Sequence, residues 1–190
     1  MKKLLAMLLI GAMAIGLIAC GANGDVDEAA ALRDIETADS SIVYIDDEAI
    51  ALVGSIADAN MTEEERAEAE ELRGMAVSVF NQCNALRQEQ GLKTLDWDDS
   101  LELSAAVRAS EIVGTFSHTR PNGNPWWTVN SDLMWGENLA KGFASTEATV
   151  DAWMNSPSHK ANVMDGGFNT MSIAVYRINN VLYFAQEFGY

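Results

Sequence analysis

The sequence predicts an α+β domain, and three observations carry that reading. Apolar residues in the middle of the chain recur at spacings of three and four, which is the period of a helix face. The end of the chain instead alternates, with Met171, Ile173 and Val175 before Asn179-Asn180 and Val181, Tyr183 and Ala185 after it, the pattern of a β-hairpin. Helical patterns precede strand patterns rather than interleaving with them, which separates α+β from α/β.

Composition narrows the class. The 190 residues suffice for one domain with tails, at roughly 100–200 residues per domain. A net charge of -16, from 12 basic and 28 acidic side chains, makes nucleic acid an unsuitable partner, because its phosphates would be repelled. Two cysteines build no disulfide scaffold, and no CxxC or zinc-finger spacing occurs. A hydrophobic content of 48% argues against wholesale disorder.

The first element is a leader. Lys2 and Lys3 precede an apolar run from Leu4 to Ala19, too short for the roughly 20 residues of a spanning helix and suited to a signal peptide. It ends in Leu17-Ile18-Ala19-Cys20, which resembles the lipobox of bacterial lipoproteins. That resemblance implies cleavage after residue 19 and a lipid on Cys20 that anchors the chain to the membrane, with the protein on the extracellular face. The acidity is uneven: residues 25–71 hold 16 acidic and two basic side chains, whereas residues 72–190 hold 12 and eight. Residues 20–61 therefore read as a solvated acidic tether, interrupted by the β-favouring run Ile42-Val43-Tyr44-Ile45.

The folded domain is expected over residues 62–190. Thr62 followed by Glu63, Glu64 and Glu65 reads as a capped, dipole-matched helix start. Leu72, Met75, Ala76, Val79, Phe80, Cys83 and Leu86 form its apolar face, and Gly91 ends it. Cys83 on that face reads as a small buried hydrophobe. A second helix starts at Asp98 or Asp99, offers Leu101, Leu103, Ala106, Val107, Ala109, Ser110 and Val113 for packing, and closes at Gly114. Residues 116–138 are irregular, with Pro121, Gly123, Pro125 and Gly136, and such a stretch often carries function. A third helix runs from a Ser145 or Thr146 cap to about Trp153, and Pro157 opens a short helical turn in which Ser156 and Ser158 suit a cap.

Only two histidines are present, in Ser117-His118-Thr119-Arg120 and Ser158-His159-Lys160, with Glu137-Asn138 between them. Two imidazoles and a carboxylate can hold a divalent ion or pass a proton if they converge, which spacing alone leaves open. Trp126 and Trp127 beside Pro125 either stack on a ligand at a cleft rim or cover the sheet edge. Gln186 and Glu187 point to opposite faces of the last strand.

Taken together, Asn84, Arg87 and Gly91-Leu92, then Leu95-Asp96-Trp97-Asp98, Phe116-Ser117-His118 with Pro121-Asn122-Gly123, Gly136-Glu137-Asn138, Trp153 through Ser156-Pro157, His159 and Asn162, and Tyr183 to Gly189 resemble the CAP superfamily, also called the SCP or pathogenesis-related-1 family, in its bacterial form. The resemblance spans residues 72–190. It implies a three-layer α-β-α sandwich around an antiparallel sheet. It also implies a cleft with His118, Glu137 and His159 as candidate ligands of zinc or another divalent cation, and Ser117, Asn138, Asn155 and Gln186 beside them. The second glutamate of plant and animal members falls near Asn155 or Ser156 and is missing, as are their second histidine before the closing strand and their disulfides. The function expected is a lipid-anchored protein that binds a lipid, glycan, peptide or partner protein of the envelope or a host. The alternative is a metal-assisted hydrolase acting through His118, Glu137 and His159.

Overall fold

A computed structural model describes residues 61–190. The leader, Cys20 and the Ile42–Ile45 run lie outside the described residues, as does the acidic tether up to residue 60. Helix α1 (Glu63–Glu89) opens with a reciprocal cap: the Glu65 N–H donates to Thr62 Oγ1 at 3.2 Å, and the Thr62 N–H donates to Glu65 Oε2 at 2.9 Å. The compact body that carries the sheet and the site begins within this helix, at Ala67. Among the described residues no helix is long and apolar enough to cross a membrane.

Helix α2 (Asp99–Gly114) starts where Asp98 accepts the Leu101 N–H at 2.7 Å. A short 3-10 turn (Trp126–Val129) follows, then β1 (Gly136–Lys141), α3 (Thr146–Asn155), α4 (Pro157–Val163), β2 (Thr170–Ile178) and β3 (Val181–Gly189). Ser145 caps α3 by accepting the Ala148 N–H. Ser156 stands at the start of α4 without a side-chain cap bond, and its hydroxyl lies against that of Ser158 instead. The expected hairpin is present, with Asn179 and Asn180 at φ 50° and 61°, the left-handed pair that a two-residue hairpin turn requires.

The sheet is antiparallel in the order β1-β3-β2, so the last strand in sequence is the central one. Helices cover it on both sides. Helix α2 packs on β2 and β3, while α1 meets the opposite face where Cys83 contacts Gln186. This is the expected α+β sandwich, and it explains why β3 is buried over nearly its whole length instead of alternating. Val79, Cys83, Ile112, Ile173 and Phe184 form the fully buried center. Burial pushes the Cys83 thiol up to about 11, in keeping with a packing role.

Two features depart from the sequence reading. Residues 136–141 form strand β1, buried at five of six positions and therefore without a period-two signature. Helix α2 buries Leu101, Ser104, Ala105, Arg108, Ala109 and Ile112, a face rotated from the one expected, because a charged residue lies at its center.

As an edge strand, β1 would leave outward carbonyls unpaired. Two side chains occupy them. Trp153 Nε1 donates to Leu139 O at 3.1 Å, and Asn162 Nδ2 donates to Glu137 O at 3.2 Å. Helix α4 is thereby fixed along the free edge of β1. Behind it, the fully buried Arg87 guanidinium donates to the Val163 and Asp165 carbonyls, each at 2.7 Å, tying the end of α4 to α1.

Candidate functional site

The fixed position of α4 brings the two histidines to one place. His159 and Asn162 are three residues apart on one helix face, so when Asn162 bonds β1, His159 turns toward the same strand. His118 arrives from the loop after α2. Both imidazoles line an open cleft of about 350 Å³ whose floor includes Gly136 and Glu137. Ser158 and Asn162 complete its polar wall, and the indoles of Trp126 and Trp135 flank it. Gly136 is needed there, since a Cβ would come within 2.9 Å of the Phe168 ring.

Glu137 is the hub. Its side chain is 1% exposed, against 55% for His118. Arg108, fully buried on α2, donates from Nε to Glu137 Oε2 at 2.6 Å and from Nη2 to Oε1 at 3.3 Å. His118 Nδ1 lies 2.7 Å from the same Oε1. A carboxylate only accepts, so Nδ1 carries the proton and Nε2 is left for the cleft. Arg108 continues outward to Glu111 Oε2 at 2.6 Å and to Ser117 O at 2.7 Å, and Arg120 holds Glu111 from the surface at 2.8 Å. The chain Arg120–Glu111–Arg108–Glu137 thus alternates in charge toward the interior and ends on His118 at the cleft.

Burial, and then repulsion from His118, lowers the pKa of His159. Glu187 sits opposite Glu137 on β3, completely buried, with no hydrogen-bond donor reaching either of its oxygens. Burial and the neighboring Glu137 carboxylate raise its pKa well above the glutamate range, so Glu187 stands as a neutral acid.

The expected trio of His118, Glu137 and His159 does converge, and Trp126 lines the cleft with it. The other expected neighbors lie elsewhere. Gln186 is a correction: it is fully buried against Cys83 and Met171, and it accepts from Asn138 Nδ2 at 2.9 Å on the opposite face of the sheet. The face parity was right, but the cleft side belongs to Glu187. Asn138 shares the inner face with Gln186, and its amide donates to His159 O at 3.1 Å, so it supports α4 from behind. Ser117 acts through its backbone carbonyl on Arg108, while its hydroxyl takes the Thr119 N–H. Asn155 is exposed at the end of α3, and Trp127 is exposed with its ring edge-on to Trp126. Neither lines the cleft.

The geometry also bears on the divalent cation. Both Glu137 oxygens accept from Arg108, whose charge matches the carboxylate. Two imidazoles remain as donors, and among the described residues no three His, Cys, Asp or Glu side chains are placed to hold a metal ion. The donor set does not fit a closed coordination shell, which needs three or four protein ligands. The residues that sequence reasoning missed are Arg108, Glu187, Trp135, Ser158 and Asn162. Glu187, Ser158 and Asn162 were visible only as neighbors of Gln186 and His159, and Arg108 left no signal on the helix face read from the sequence.

Comparison with known proteins decides the family. The model of the cysteine-rich secretory protein (CAP) family matches residues 80–188. This chain belongs to the CAP family. The uncharacterized protein YkwD of Bacillus subtilis is 32% identical over 117 residues, covering 58% of this chain and 45% of that protein. The chain thus spans less than half the length of that relative. Among solved structures, an outer surface protein of Borrelia burgdorferi is 25% identical with a TM-score of 0.53, covering 58% of this chain and 88% of its own. An extracellular SCP-domain protein of Bacillus anthracis shares the fold at 21% identity and a TM-score of 0.59, covering 68% of this chain and 44% of that one. The CAP fold and the bacterial type expected from the motifs are both met.

Proposed function

We propose that this chain is an exported, lipid-anchored CAP-domain protein that binds a ligand, without turning it over, in the cleft between β1 and α4. One observation carries the reading: a half-exposed imidazole, His118, is held at an open cleft by a buried carboxylate that Arg108 clamps. Such a fixed donor–acceptor costs little to order when a ligand arrives. Binding is favored over hydrolysis because Ser158, the hydroxyl in the lining, lies against Ser156 and bonds neither imidazole. The metal-assisted alternative needs a donor set that Glu137 does not complete. Export and anchoring rest on the leader and on Cys20, in line with the surface and extracellular descriptions of the Borrelia and Bacillus anthracis proteins.

The test is equilibrium binding of the full chain to lipid vesicles, oligosaccharides and peptides, with mass analysis of the ligand afterward. One class should bind, weaken about tenfold in His118→Ala and be recovered intact. Binding by no class, or recovery of a cleaved ligand, would sink the reading. In cells, Cys20→Ser should move the protein out of the membrane fraction and abolish its labeling by a lipid precursor; retention of both would remove the anchor.

A further inference from the structure

The lining of the cleft constrains what it can accept. None of its residues is a lysine or arginine, and its one carboxylate is buried and matched by Arg108. An anionic headgroup would meet no lysine or arginine there and would approach a chain of net charge -16. A cationic ligand would meet no free carboxylate. What the wall offers is a set of hydrogen-bonding groups: His118 Nε2, the His159 ring, the Ser158 hydroxyl and the Asn162 amide oxygen. The Asn162 Nδ2 is already committed to Glu137 O and Asn138 Oδ1 at 3.2 and 2.9 Å, and that leaves its oxygen to accept.

The aromatic flanks add a second requirement. Trp135 is 56% exposed although it lines the cleft, and its Nε1 turns back to Asp132 O at 3.4 Å. Tyr190 holds the ring edge-on with centroids 5.4 Å apart, which fixes the indole without covering both of its faces. Trp126 is fixed in the same manner by Trp127, at 5.5 Å. Two rigid indoles beside a hydrogen-bonding wall without lysine or arginine match a molecule with flat C–H faces and a rim of hydroxyl groups. An acyl chain would leave the polar wall unpaired, and that loss weighs against a lipid.

We infer that the cleft receives a neutral glycan, a sugar ring stacking on the exposed Trp135 while its hydroxyls bond His118, His159, Ser158 and Asn162. This rests on the ligand-binding reading above and specifies its substrate class.

The experiment is a glycan array probed with the full chain in a detergent that lacks a sugar headgroup. It carries neutral, sialylated, sulfated and phosphorylated glycans, and vesicles and peptides are run in parallel. Neutral glycans should be the ones retained, with about tenfold weaker binding in Trp135→Ala and unchanged binding in Val77→Ala, which alters an exposed side chain of α1 outside the cleft lining. Retention of charged glycans alone, of no glycan, or equal retention by Trp135→Ala overturns the inference. If a peptide or vesicle then binds in a manner that depends on His118, the cleft remains a binding site and only the glycan assignment falls. If nothing in any arm depends on His118, both fall.

Discussion

The two faces of the β1–β3 pair differ by one residue step and by everything in their electrostatics. Glu137 and Glu187 lie opposite each other on the face toward α2, while Asn138 and Gln186 lie opposite each other on the face toward α1. The inner amides are neutral and bond to each other and to His159 O. The outer carboxyls make no such match: one is clamped by a buried arginine, and the other has no donor within reach. The amide face is a stable way to bury polarity. The carboxyl face spends stability to hold an imidazole at a cleft, which is a mark of a site rather than of a scaffold.

The sharpest break of that contrast is Arg108→Met. It removes the guanidinium that clamps Glu137, and leaves two buried carboxyls facing each other. A loss of about 3–5 kcal/mol is expected in chemical denaturation. A loss below about 1 kcal/mol would mean that the clamp is not what stabilizes Glu137.

Glu187→Gln tests the second carboxyl and should stabilize. The native pKa of Glu187 is raised, so the folded chain keeps a proton that the unfolded chain releases above about pH 4. Folding stability therefore falls as pH rises through that window. Glutamine does not titrate, and its amide can donate to Glu137. The variant should be the more stable protein at pH 7, and the gain should vanish below about pH 4. A difference that does not change with pH would contradict the neutral-acid assignment.

The smallest effect is expected on the inner face. Gln186→Leu takes one partner from Asn138 Nδ2, which keeps His159 O, and gives up only weak contacts to Cys83 and Met171 sulfur. About 1 kcal/mol should be lost, read from the same denaturation curves, with the His118-dependent binding retained. Loss of binding would show that the inner amides position α4 more tightly than their hydrogen bonds indicate.

Much of this was legible in the chain, for local reasons. Thr62, Asp98 and Ser145 announce helix starts because a capping hydroxyl or carboxylate acts within three residues. Asn179-Asn180 announces the hairpin because few residue pairs tolerate two left-handed positions. What was hidden depends on partners far away in sequence. Arg108 reads as a solvent-facing charge until Glu137, 29 residues on, is seen to meet it. Strand β1 lacks alternation because helices bury both of its faces. Alternation fixed Gln186 and Glu187 to opposite faces, but only packing decides which face meets the cleft.

The side chains seated on the outer edge of β1 have a consequence for recognition. With Glu137 O bonded by Asn162 and Leu139 O by Trp153, that edge has no free carbonyl ladder along its first half. An extended peptide cannot join the sheet there as a fourth strand, the commonest way in which an open edge takes up a polypeptide. Whatever enters beside His118 must be recognized through its own functional groups rather than through a borrowed backbone.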